Sequence, residues 1–474
     1  MTDSARVTDS TWTTGRSLAR ARITADVWRA KFASGAAIEA RRRRRLGALL
    51  SFVRRQSRFY RRRYADVPEG VTDLERFPPV TKSTLMAAFD DVVTDTAVTK
   101  AEVDAFVADE STIGERFLGR YPVWTTSGTT GEPGVFLQDD AALTLINVLP
   151  DRWTLPALLG VDPIRRLVEN DVRGAEIAVT GGHFAGASGI AMMRRESAFL
   201  RDRIRILSPT RPLGDLIAEL NRYRPAFLVG YATVLVELAR AQREGRLDVS
   251  PALVTPTAEP ISRAEKRDLG RAFDCEVREI YGATEFFPIA VECARGNLHV
   301  NADWVVIEPV DANYRPVEPG EPSDTVLVTN LANRIQPIVR YDLGDSVTVY
   351  DERCPCGSPF PVVEVEGRQG DVLRFETADG SVPVFPLALS SVVEEVPGVR
   401  RAQLLRTAPS TLRVRLEVTD GADERRVWET VESALSSYLG GQGVTGVAVE
   451  RATEAPRRDP ASGKFRHVRS ELDE

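Results

Sequence analysis

Apolar residues first recur at helical spacing near the start of the chain. Leu46, Leu49, Leu50, Val53, Tyr60 and Tyr64 mark one face. Arg41, Arg42, Arg43, Arg44, Arg45, Arg54, Arg55, Arg58, Arg61, Arg62 and Arg63 fill much of the rest. This predicts a basic amphipathic helix, either a polyanion-binding face or an arginine-coated surface helix docked by its apolar stripe. The second reading is preferred, because the rest of the chain offsets the charge. From about residue 77 to 361, short apolar runs alternate with longer helical stretches. Strands are expected at 204–207, 227–230, 276–280, 305–307 and 325–329, and Tyr231, Val234, Leu235 and Leu238 fit one helix face. Strand–helix alternation predicts a layered α/β fold with parallel sheet. After residue 303 the strands crowd together, as in an antiparallel or barrel-like subdomain. Beyond 370 the pattern changes again, to a helix near 389–396, strands at 402–405 and 412–418, a helix at 423–439 and a strand at 444–450.

These patterns give the expected organisation: a disordered tail at 1–20, a large N-terminal layered α/β domain at 21–369 with a small β-rich subdomain at about 303–366, and a small mobile α+β C-terminal lid domain at 370–474. Gly370, in Gly367-Arg368-Gln369-Gly370-Asp371, would be a pliable pivot between them.

Composition narrows the function classes. The 474 residues are 43% hydrophobic and 27% charged, the profile of a globular protein with a large core. A formal net charge of -6 gives no global attraction to nucleic acid or anionic lipid. No apolar run approaches the ~20 residues of a membrane span, and the N-terminus lacks an apolar signal-like core. The expected location is the cytoplasm. Four cysteines are too few for a disulfide framework.

The richest local signal is Thr125-Thr126-Ser127-Gly128-Thr129-Thr130-Gly131-Glu132-Pro133-Gly134. Serine, threonine and glycine in series can turn several backbone N–H groups and hydroxyls toward one anion. An ordinary polar turn has the same composition, and the Gly-Lys-Ser/Thr ending of a P-loop is missing.

The decapeptide resembles the phosphate loop of the adenylate-forming superfamily, which includes acyl-CoA synthetases, nonribosomal adenylation domains and luciferases. Further resemblances follow in that family's order. They are Tyr281-Gly282-Ala283-Thr284-Glu285, Arg340-Tyr341-Asp342-Leu343-Gly344-Asp345, the 367–371 hinge and Ser462-Gly463-Lys464-Phe465-Arg466. Within the superfamily the chain looks most like the phenylacetate–CoA ligase group. Similarities are the basic opening through Arg58-Phe59-Tyr60-Arg61, Gly134 where other branches often have lysine, and Arg353-Cys354-Pro355-Cys356-Gly357.

The resemblance implies ATP and Mg²⁺ as cofactors and an acyl-adenylate intermediate. Thr126, Ser127, Gly128, Thr129, Thr130 and Gly131 would hold pyrophosphate, and Glu285 would hold magnesium. Tyr281, with Gly282, Thr284 and Glu259, would lie against the nucleotide. Asp345 would accept the ribose hydroxyls, assisted by Arg368. Lys464 would bridge the attacking oxyanion and the α-phosphate, making Lys464, Glu285 and Thr130 the catalytic set. Partners would be a small, aromatic-type acid and a thiol such as CoA, or else an amine or carrier protein. A homodimer is an open expectation, as are nitrite as the oxyanion and a non-catalytic nucleotide-binding role.

Two constellations are weighed beside this. Cys293, His299, Cys354 and Cys356 supply a thiolate–imidazole set suited to structural zinc, although Cys-x-Cys is a tight step. Reduced core cysteines are the alternative, and Cys275 is read as core. His183 and Phe184, in a glycine-rich segment, would line an acyl pocket with Tyr231, Gly282 and Ala283; a satisfied buried histidine is the other reading of His183. After Asp371 the chain departs from the group's pattern with a longer, acidic lead-in carrying Glu376 and Asp379, which puts the CoA half-reaction in question.

Overall fold

The computed structural model describes residues 4–126, 134–365, 372–377, 380–457 and 467–472, with side chains from Leu18 onward. The chain divides into two compact units. One contains 1–123, 136–159 and 278–365; the other contains 124–135, 160–277 and 366–474.

In the first unit, a helix at Ser4–Lys31 covers the segment expected to be a tail, and the basic helix runs Gly35–Gln56. Ser34 caps the latter by accepting the N–H of Ala37, and Ile38, Leu46, Leu49, Leu50 and Val53 are buried along its stripe. Its arginines are partly consumed by the fold. Arg41 and Arg45 pair with Asp26, Arg45 stacks 3.4 Å over Trp304, and Arg54 donates to the Val67 carbonyl at 2.7 Å. This is how an arginine-coated docked helix behaves.

The remaining strands of this unit are antiparallel, as their crowding predicts. Ile280–Ala283, Phe286–Glu292, Leu298–Val300, Val362–Val365 and Val347–Tyr350 form consecutive neighbours in a sheet. Val305–Val310, Thr325–Asn330 and Tyr341–Asp342 form a second sheet. Buried Arg152 makes paired 2.9 Å hydrogen bonds to Asp303, a bidentate link that needs both partners once water is excluded.

The second unit holds the parallel sheet. Its neighbours run Leu253–Thr257, Phe227–Tyr231, Gly174–Ile177 and Ile204–Leu207, with the short Glu276–Val277 beside the first. Helices Leu213–Tyr223, Ala232–Arg243 and Arg263–Phe273 bury Leu216, Leu220, Val234, Leu235, Leu238 and Leu269 with the sheet residues Ile177, Leu228 and Val254. Ser262 and Glu265 form a reciprocal capping box that starts the last helix. The strand expected at 276–280 is two strands. Val277 ends the parallel partner of 253–257, and Ile280 begins an antiparallel partner of 286–292. A period-two pattern reads straight through such a two-residue break.

Residues beyond 372 carry their own core of Leu373, Phe375, Leu389, Val393, Leu404, Val414, Val431 and Leu435. Their four-stranded sheet has the order Ala448–Arg451, Thr411–Val418, Val399–Ala408 and Val468–Ser470, with helices Pro386–Glu394 and Glu424–Gly441. That is the expected small α+β arrangement. Phe385 and Ala388 also join the core of the parallel sheet, which is why this segment clusters with 160–277. The expected pivot Gly370 lies outside the described residues. No described helix is long and apolar enough to cross a membrane.

Candidate functional site

In a parallel sheet, helix dipoles and loops converge at the carboxyl ends of the strands, so ligands bind there. In the second unit that edge collects Ile177 through Phe184, Tyr231 and Thr257 through Glu259. The entry to the serine–threonine loop joins it. The N–H of Thr125 donates to the His183 carbonyl at 2.8 Å. Thr126 then donates its N–H to the Gly134 carbonyl, and Gly134 donates back to the Thr126 hydroxyl, both at 2.9 Å. The loop is therefore pinched closed at its neck. Ser127, Gly128, Thr129, Thr130 and Gly131 lie outside the described residues, as do Arg368 and Lys464.

His183 is buried and Phe184 half-buried at the start of helix Ala185–Glu196. The Tyr231 hydroxyl accepts the N–H of Val179 at 3.1 Å, which fixes its ring at the same edge. Burial pushes this phenol up to about 12, with Glu259 and Glu176 adding to the rise. Glu259 is buried; one carboxylate oxygen accepts the N–H (2.9 Å) and hydroxyl (2.7 Å) of Thr233, while the other has no hydrogen-bond partner among the described residues. Burial raises its carboxyl to about 6 against the Thr233 bonds. Ala258 before it sits at φ 66°, a strained conformation for alanine that the site tolerates.

In the first unit, Tyr281, Gly282, Ala283 and Thr284 are half-buried and Glu285 is buried. The Tyr281 hydroxyl donates to Asp345 at 3.0 Å, so the two residues expected at adenine and ribose meet. Tyr341 donates to the Glu285 carboxylate at 2.6 Å, Asn330 donates to the Glu285 carbonyl at 3.1 Å, and Gln138 donates to the Thr284 carbonyl at 3.3 Å. A Cβ on Gly282 would come within 2.4 Å of the Phe287 ring, so glycine lets this strand pass close to the ring. The neighbouring motif divides its labour. Arg340 turns toward Glu308 (3.1 Å), and Asp342 accepts from Tyr314 (2.8 Å) and from Thr325, both internal roles. Tyr341 was not singled out in sequence. Its place within the Arg-Tyr-Asp run was the available signal, but only strand register shows that it reaches Glu285.

The cysteine–histidine set also assembles in the first unit. Ligand atoms of Cys293, His299, Cys354 and Cys356 lie within 4.8 Å of one another. The Cys293 and Cys354 sulfurs are 3.8 Å apart, which excludes a disulfide bond, and the Cys356 sulfur is 3.3 Å from His299 Nε2. Sulfurs about 2.3 Å from one tetrahedral centre stand ~3.8 Å apart, so the spacing fits zinc. His299 Nδ1 bonds the Phe360 carbonyl at 2.8 Å, leaving Nε2 for the cluster, and Trp153 stacks on the ring at 4.7 Å. Cys275 lies apart as a free thiol packed against the parallel-sheet core.

No family model matches the sequence. A segment of 230 residues is 26% identical to Protein CapK of Staphylococcus aureus, covering 47% of this chain and 49% of that protein, so the match spans about half the length of the curated relative. Among solved structures, the chain superposes on 2-hydroxyisobutyryl-CoA ligase in complex with 2-HIB-AMP and CoA in the thioesterification state. The TM-score is 0.57 at 18% identity, covering 94% of this chain and 92% of that one. The same ligase in the postadenylation state, in complex with R3-HIB-AMP, gives a TM-score of 0.54 at 19% identity over 94% and 92%. The chain has the fold of the adenylate-forming CoA ligases.

Proposed function

We infer that the protein is an ATP-dependent, AMP-forming ligase that activates a small carboxylic acid and passes the acyl group to a thiol such as CoA. The observation that carries this reading is the Tyr281–Asp345 and Tyr341–Glu285 pairing at motif positions of a chain with this fold. In the first half-reaction a carboxylate oxygen attacks the α-phosphorus, and the bond to the bridging oxygen breaks as pyrophosphate leaves. Both reactants are anionic, so the site must hold them in line and neutralise charge. Residues 127–131, between Thr126 and Gly134, would hold the pyrophosphate end. Tyr281 and Asp345 would orient the adenine and ribose. Glu285, oriented by Tyr341, is the carboxylate that would hold Mg²⁺. Lys464 would stabilise the developing charge. In the second half-reaction a thiolate attacks the acyl carbon and AMP departs.

An aromatic acid and the phenylacetate–CoA ligase-like subtype belong to the same proposal. An amine or carrier-protein acceptor is the second reading, favoured by exposed Glu376 in the ribbon of Leu373–Thr377 and Gly380–Val384, where an anionic cofactor would meet like charge. The Cys293, His299, Cys354 and Cys356 set would hold a closed, structural zinc ion with no open position for substrate.

ATP–pyrophosphate exchange across a panel of acids tests the reading. Exchange should appear with at least one acid, and Lys464→Ala should reduce it by about 10²-fold or more while ATP still binds. Unchanged exchange in that variant removes the lysine's role. Product analysis with CoA and then with amines separates the two acceptors.

A further inference from the structure

The proposed mechanism leaves one buried acid without a task. Glu176 lies one residue before the end of strand Gly174–Ile177 and pairs in register with Val229. Tyr231, two residues on, therefore shares its face of the sheet, as does Thr257 opposite Tyr231. Helix Ala185–Glu196 approaches Glu176 closely, because a Cβ on Gly186 would come within 2.5 Å of a carboxylate oxygen. Glycine at that position leaves room for the acid. Glu176 is half-buried, and burial pushes its carboxyl up to about 7.

No hydrogen bond or ion pair to a described residue offsets this burial. Beyond Tyr231 stands the second acid, Glu259, with one oxygen unpartnered. Both acids raise the Tyr231 phenol, and no described lysine or arginine contributes to the state of either one. A buried carboxylate without a partner costs free energy that folding alone does not return. Glu176, on the same sheet face as Tyr231 at the ligand-binding edge of the parallel sheet, receives no positive group from the described chain.

We propose that Glu176 is a specificity-determining residue of the acyl pocket, where it pairs with a protonated amine on the substrate acid beside the Tyr231 phenol. The substrate class is thus an amino-substituted carboxylic acid rather than a plain fatty or aryl acid. This rests on the adenylation reading above and deepens it.

The test compares matched acids whose amine is protonated at neutral pH: 4-(aminomethyl)benzoate with 4-methylbenzoate, alanine with propionate, and 4-aminobutyrate with butyrate. Pyrophosphate exchange and calorimetric binding without ATP are both measured, for the wild type and for Glu176→Gln and Glu176→Asp. In at least one pair the amino acid should be preferred by about tenfold or more, because a site built for a polar group rejects the analogue that lacks it. E176Q should erase that preference in both assays, and E176D should keep part of it. Circular dichroism confirms that each variant is folded; if E176Q is not, the E176D ratio decides. A preference for the plain acid throughout, or a ratio that E176Q leaves unchanged, overturns the assignment. If no acid supports exchange but amino acids bind and E176Q abolishes the binding, the adenylation reading falls and the pocket stands. If exchange proceeds without any amino preference, the reverse holds. If neither exchange nor binding occurs, both fall.

Discussion

At the scale of single residues, the site is built from groups held away from their ordinary solution behaviour. Glu176 and Glu259 both carry raised carboxyl pKa values, about 7 and about 6 against 4.5, with burial the main cause. The folded protein therefore binds these protons more tightly than the unfolded chain does. Their contribution to stability is complete below pH 4.5 and is lost as pH rises through 6 and then 7. For Glu176 the loss is on the order of 2–3 kcal/mol, from ~2.5 pKa units at ~1.36 kcal/mol each with allowance for the water that reaches it. Thermal unfolding in matched buffers should show wild type losing more stability than E176Q between pH 5 and pH 8, with the variant the more stable at pH 8. An identical pH slope for both proteins would show that the acid pays no such penalty. Glu176 itself was invisible to sequence reading. It is one acid inside an apolar strand, and only the register against Val229 and the approach of Gly186 reveal what surrounds it. Glu285, Asp345 and Tyr281 were legible because they lie in contiguous motifs.

At the scale of elements, most of the architecture could be read from periodicity. The stripe through Leu46, Leu49, Leu50 and Val53 buries as one helix face, and Phe227–Tyr231 followed by Ala232–Arg243 is a strand–helix step of the kind the pattern predicts. Periodicity failed where an element ends through pairing rather than composition, as at Val277. It could not anticipate that Phe385 and Ala388 join the parallel-sheet core, since that depends on contacts across more than a hundred residues. Strand Ile280–Ala283 passes so close to Phe287 that one added methyl group would be felt. Gly282→Ala would place carbon 2.4 Å from the Phe287 ring. The expected cost is about 1–3 kcal/mol from overpacking. Because Tyr281 and Thr284 flank the change, the apparent affinity for ATP should fall as well. Denaturant titration and nucleotide binding check the two effects separately.

At the scale of the whole molecule, the cysteine–histidine set is the feature whose removal should be felt furthest from any reacting atom. Cys293 lies just past strand Phe286–Glu292, His299 lies in Leu298–Val300, and Cys354 and Cys356 precede Val362–Val365, so one ion would fasten three neighbouring strands of an antiparallel sheet. Purified protein should contain one zinc per chain by elemental analysis. Chelation, or Cys293→Ser, should lower the melting temperature by several degrees, corresponding to about 2 kcal/mol or more. Absence of stoichiometric zinc, with no effect of chelator on melting, would return these residues to the role of reduced core thiols. The spacing was legible because a short hairpin brings Cys293 and His299 together: Val291 faces His299, and the Cys293 N–H bonds the Asn297 carbonyl. The second pair arrives from sixty residues away through sheet pairing, which no local pattern records.

The neck between Thr126 and Gly134 carries a kinetic consequence. Thr126 and Gly134 are already tethered to each other, so a polyphosphate bound as proposed would not have to draw distant pieces of chain together, and the closure entropy would be spent before it arrives. A segment closed in this way would keep affinity for free pyrophosphate as well as for the same group attached to ATP. The enzyme would then be reversible at its first step and open to competitive product inhibition, and net flux would depend on a cellular pyrophosphatase keeping that product scarce.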